Sequence, residues 1–242
     1  MRLRLPAIAL LTFVAAITFG QEEFEVSEAT KRYLAAREKW TEPSYGLAKV
    51  KSLIRGLKRD VDENRILKKS LYDKLTFGEK FTFTCLHAEE YSQNCDAMPP
   101  IKDEEKLILS HFPDAFSEAM WSQRQVSFLT DNRDRVIQLL RETINKKREI
   151  GLNLKRVIYQ ISAIELVPDI LRNLSWNPWD MDCYSLITGM LNERAYAPFK
   201  SSAMGKEMYG EESNYRTWIS ATPQAKATIV SFAKSYYHQF GG

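Results

Sequence analysis

From Ser27 onward the chain spaces its apolar residues with the period of an α-helix rather than with the strict alternation of a strand. "SEATKRYLAAREKW" opens on Ser27, a residue suited to cap a helix, and sets Tyr33, Leu34, Arg37 and Trp40 at helical spacing. "PSYGLAKVKSLIRGLKRD" carries Leu47, Val50, Leu53, Ile54 and Leu57 on one stripe, with Lys49, Lys51, Arg55 and Lys58 mostly off it. "DENRILKKSLYDKL" repeats that pattern through Ile66, Leu67, Leu71 and Leu75.

"FGEKFTFTCLHAEEY" reads both ways, because Phe81, Phe83 and Cys85 alternate with threonines as they would in a strand. Thr76 and Glu79 have the spacing of a capping box, and this predicts a helix ending near Tyr91. Two more helices are expected in "DEEKLILSHF" and "DAFSEAMWSQRQVSFL", parted by Pro113, with acidic residues at their starts where the helix dipole favours them. "DNRDRVIQLLRETINKKRE" predicts a long helix that stops before Gly151. After it come a second helix, a tight corner near Ala163, a third helix begun around Pro168, a turn at "WNPWD" and a fourth helix. A last helix is expected from Pro223, packing Ile229, Val230 and Phe232. With only ten glycines and no long alternating run, the fold class is all-α, built of antiparallel helical hairpins.

"VIYQISAIELVPDILRNL" resembles the joint of a HEAT-type repeat. It has an apolar helix end, a short turn with a small residue, and a proline in the first turn of a helix carrying Ile170, Leu171 and Leu174. Helix pairs over 131–194 begin about 35 residues apart, a spacing used by helical repeats. The resemblance implies a short HEAT-like α-solenoid with a protein-binding or scaffolding role, and it brings no catalytic residues with it. Taken whole, the chain also resembles exported bacterial proteins.

The first twenty residues, "MRLRLPAIALLTFVAAITFG", put two arginines before an uncharged apolar run and end on small residues, as an export signal cleaved near Gln21 would. That run is too short to span a bilayer, and no later segment approaches a membrane span. A single domain over 21–242, released to the periplasm or the extracellular space, is therefore expected. Losing Arg2 and Arg4 leaves 32 basic against 31 acidic residues, so the net charge falls from +3 to +1. Such a balance gives no footprint for nucleic acid. A protein or an envelope polymer is the expected partner.

The three cysteines of an exported chain allow one disulfide. "CLHAEEYSQNCDAMPP" offers Cys85 and Cys95, whose bond would close a short loop and contribute about 3 kcal/mol. Cys183 sits on the apolar side of its helix. His87 and Glu90, at i and i+3, are weak metal candidates that Cys95 or His111 could join, but neither HExxH nor CxxC spacing occurs. Nothing calls for a cofactor. No GxSxG nucleophile is present. An envelope hydrolase using a carboxylate pair drawn from Glu89, Glu90, Glu165, Asp169, Asp180 and Asp182 is the alternative to a binding protein.

For binding, residues 131–156 carry a surplus of four positive charges, with Arg133, Arg141, Lys147, Arg148 and Arg156 as candidates. Solvated i,i+4 pairing is the plainer reading of the same charges. "SWNPWD" adds Trp176 and Trp179, rings suited either to stack on a ligand or to cover the end of the core.

Overall fold

A computed structural model describes residues 26–94, 101–112 and 117–241. The expected export signal, Cys95, the Pro99–Pro100 pair and Pro113 lie outside the described residues. In chain order the elements begin with α1 (Glu28–Arg37), α2 (Leu47–Arg55), α3 (Lys69–Tyr72), α4 (Phe77–Leu86), β1 (Glu90–Tyr91), β2 (Leu107–Leu109) and β3 (Ala119–Met120). There follow α5 (Gln123–Asp131), α6 (Arg133–Lys147), α7 (Leu152–Gln160), α8 (Val167–Trp176) and α9 (Met181–Glu193). The chain closes through α10 (Ala197–Lys200), α11 (Ala203–Tyr209), β4 (Trp218–Ser220) and α12 (Pro223–Phe240). The fold is all-α in character, with two short two-stranded ladders as its only sheet among the described residues.

Several helix boundaries follow from single residues. Ser27 accepts from the Thr30 amide and starts α1. At α4 the capping box is complete, since Thr76 accepts from the Glu79 amide while the Glu79 carboxylate accepts from the Thr76 amide. Proline occupies the first turn of α8 and of α12, where a missing N–H costs nothing. The corner before α8 is made by Ser162 in left-handed conformation (φ 45°) and a 3-10 turn over Ile164–Leu166, which matches the expected joint.

The core is organised around α9, in which every residue from Met181 to Leu191 is buried. It packs against α7, α8, α10, α12 and β2, so the helix is covered on all sides. Gly189 lets α7 come close: a Cβ there would lie 2.9 Å from the Tyr159 ring. A smaller cluster of Val50, Leu67, Tyr72, Leu75 and Phe83 sits under α2 and α4. Among the described residues no helix is long and apolar enough to cross a membrane.

Four expected helices need correction. Over residues 61–68 the chain turns instead, because the Asp60 carboxylate accepts from the amides of Asp62 and Asn64 and Glu63 adopts φ 64°. Only Lys69–Tyr72 is helical there, leaving Ile66 and Leu71 exposed. Within "DEEKLILSHF", Leu107–Leu109 form a strand with all three side chains buried, paired antiparallel to β4 with Ile108 opposite Ile219. A three-residue apolar run does not distinguish strand from helix, and its partner is remote in sequence. In the segment before α5, Ala119 and Met120 pair with Tyr91 and Glu90. Accordingly α4 stops at Leu86, where His87 turns extended, rather than running on to Tyr91.

Candidate functional site

Where α1, α7 and the start of α9 meet, the structure buries a chain of charged groups. Tyr33 and Arg37 lie one turn apart on α1, with the guanidinium 4.6 Å from the Tyr33 ring centre. Arg37 Nε donates to Asp182 Oδ2 (2.9 Å), Nη1 donates to Glu104 Oε1, and Nη2 donates to the Tyr33 hydroxyl. Tyr33 in turn donates to Asp182 Oδ1 (3.0 Å). From α7, the Lys155 ammonium reaches Asp180 Oδ1 at 2.6 Å and stands 3.9 Å from Asp182 Oδ2. Asp180 Oδ2 also accepts from Asn173 Nδ2 and from the Cys183 thiol. Asp180 precedes α9 and Asp182 lies in its first turn, where the helix dipole favours negative charge.

Burial alone would push the Lys155 ammonium toward the neutral form, but Asp180 and the neighbouring groups outweigh it and hold it charged, above the usual lysine range. For Tyr33, burial and then Asp182 push the phenol up, so it remains a proton donor. Burial and Asp180 likewise keep the Cys183 thiol protonated, which removes it as a nucleophile. Arg37 and Lys155 thus face three carboxylates, those of Glu104, Asp180 and Asp182, with one negative charge in excess.

A cavity of about 130 Å³ opens onto this cluster, lined by Arg37, Lys39, Glu149, Lys155, Asn177 and Asp180 among others. Trp179 forms part of its wall and part of the wall of a shallower groove of about 410 Å³, which Ala29, Arg32, Tyr33, Ala36 and Glu105 complete. The indole is 46% exposed and meets the Tyr33 ring edge-on at 6.5 Å. Between a cavity lined by several charged side chains and a largely apolar groove, a flat ring is thus presented to solvent.

The other candidates are placed differently. Arg133 is engaged by both Glu165 oxygens and by the carbonyls of Ile161 and Ser162, tying α6 to the corner before α8. Arg141 binds Asp169 and the Glu165 carbonyl. Arg156 donates to the Ala119 carbonyl and lies over the Trp121 ring. Arg148 ends α6 in left-handed conformation with its guanidinium 5.9 Å from the half-buried Trp176 ring, and Lys147 is exposed. Much of the positive surplus of 131–156 is therefore spent inside the fold.

Nor do His87 and Glu90 converge. His87 is buried with Nε2 2.7 Å from the Arg65 carbonyl, and burial lowers its pKa, while Glu90 faces solvent on β1. Among the described residues no three His, Cys, Asp or Glu side chains gather as a metal ion would require. Cys85 is a free thiol in the main core, its pKa raised by burial. Apart from Glu90, which faces solvent, the candidate carboxylates are held by cations: Glu89 by Arg124, Glu165 by Arg133, Asp169 by Arg141 and Arg172, and Asp180 and Asp182 by Lys155 and Arg37. A glycosidase pair needs one carboxyl kept protonated and turned to the substrate, and cationic partners oppose that.

No family model matches the chain, and neither a curated protein nor a solved structure matches it.

Proposed function

We propose that this is an exported helical binding protein that engages an envelope glycan through Trp179. The observation that carries the reading is the exposed indole shared by the cavity and the groove. A sugar ring has an apolar face that packs on an aromatic plane and a rim of hydroxyls that side chains must meet. Around Trp179 stand Arg32, Lys39, Glu105, Glu149 and Asn177, side chains with both donors and acceptors for such a rim. Because the buried carboxylates are locked in ion pairs, the site suits retention of a glycan rather than its cleavage.

Calorimetric titration with soluble glycan oligomers tests the reading. The native protein is expected to bind and Trp179→Ala to lose at least about tenfold in affinity, as an aromatic anchor implies. Equal binding by the two proteins would overturn it.

A further inference from the structure

Resting on that reading, we infer that the cavity beneath Trp179 takes the acetamido group of an N-acetylated sugar, whose carbonyl oxygen accepts from Lys155. The Lys155 side chain is 4% exposed, and its ammonium carries three donors. Asp180 Oδ1 accepts one of them at 2.6 Å, whereas Asp182 at 3.9 Å stands beyond hydrogen-bond range. Two N–H groups of a buried cation are thus left without an acceptor among the described residues. An arrangement of this kind costs free energy until something in the cavity accepts from them.

Charge narrows what that something is. The cluster already holds one negative charge in excess, so a carboxylate or phosphate would add to it. An ammonium group would meet Lys155, Arg37 and Lys39. The fitting occupant is a neutral group with a strong acceptor oxygen.

Size narrows it again. A volume of about 130 Å³ exceeds the roughly 30 Å³ share of one water and falls short of the roughly 300 Å³ at which whole-ligand pockets begin. It holds a side group while the ring stays outside against Trp179. An acetamido group meets each requirement. Its carbonyl serves Lys155, and its methyl has Ile150 in the cavity lining. Its N–H has the oxygen of Asn177, whose amide nitrogen is already donated to the Arg148 carbonyl and to Asn173.

The test compares three tetrasaccharides by calorimetry on the full protein: N-acetylglucosamine, glucosamine and plain glucose, all β-1,4-linked. The acetylated tetramer should bind at least about tenfold more tightly than the other two, as expected for one buried hydrogen bond made or lost. Lys155→Met should bring the three to parity. Should that variant not fold, Asn177→Ala, at a half-buried position, is expected to cut the preference for the acetylated sugar, read as the ratio of the acetylated and glucose tetramer affinities; an unchanged ratio would overturn the inference. If all three bind equally in the native protein and all depend on Trp179, the acetamido inference falls and the glycan reading stands. If none binds, both fall.

Discussion

Glu89 and Asp180 are both carboxylates withdrawn from water, yet they are held in opposite ways. Glu89 is fully buried and accepts from the Leu67 amide (2.9 Å), the Ser122 hydroxyl (2.7 Å) and Arg124 Nε (2.7 Å), with Arg124 Nη2 as a further donor. Arg124 is itself seated over the Tyr72 ring and donates to the Leu67 carbonyl. Burial pushes the Glu89 pKa up, but these donors outweigh it and hold the carboxyl below the usual range. Every oxygen is answered, and the group pins three separate stretches of chain together. Both Asp180 oxygens are answered as well, by Lys155, Asn173 and Cys183, but the Lys155 ammonium that serves it has a single acceptor within hydrogen-bond range among the described residues and faces a cavity. Complete pairing marks a group that serves the fold, and incomplete pairing beside a cavity marks one left open for something else.

The largest effect expected from this contrast is at Glu89. Replacement by alanine strands Arg124 and the Leu67 amide, and urea unfolding should show a loss of about 3–5 kcal/mol. A loss under about 1 kcal/mol would erase the distinction. Lys155→Met should cost about 3 kcal/mol by leaving Asp180 unpaired, yet adding Asp180→Leu should restore most of it, because an apolar pair often replaces a buried ion pair at little cost. No recovery in the double variant would show the second cluster to be as tightly woven as the first.

A smaller effect is written in pH. Burial, and then Arg37, lower the His111 pKa from 6.5 to about 4, and both ring nitrogens lack partners among the described residues. Between those values the unfolded chain binds the proton and the folded one does not, so stability falls as pH drops from 6.5 toward 4. His111→Leu should flatten that slope by about 1 kcal/mol, allowing for the ring's partial exposure. His87, shifted in the same direction, keeps part of it. An unchanged slope would remove His111 as its source. Smallest of all, Trp179→Ala should lower stability by less than about 1 kcal/mol, since its edge contact with Tyr33 is half solvated. A larger loss would make the indole a structural cover.

The helices legible in the sequence are those whose ends are set locally, by Ser27, by Thr76 with Glu79, and by the prolines at 168 and 223. What escaped were features decided at a distance. Leu107–Leu109 become a strand only because residues 218–220 lie beside them. Trp179 was visible as an aromatic at a turn, but its partners were scattered over α1, residue Glu105, the stretch 149–151 and α7. Lys155 read as one charge on a basic face, although it falls beside Leu154 and three residues before Ile158, both fully buried. A lysine inside an apolar stripe is the sign that could have exposed the cluster, because such a residue must find a buried counter-charge. Asp182, at the head of a mostly apolar helix that is buried from Met181 to Leu191, gives the matching sign.

The β2–β4 ladder also bears on how the chain reaches this state. Ser110 is joined to Thr217 across 107 residues, and Tyr33 to Asp182 across 149. Contacts so remote form only after the loop between them has been closed, an entropic toll exacted before any reward. The high contact order should place refolding toward the slow end for a mostly helical protein, milliseconds to seconds rather than microseconds. During synthesis Leu107–Leu109 must wait with unpaired strand edges until residues 218–220 emerge, so the late-arriving C-terminal tenth of the polypeptide governs when the first half becomes native.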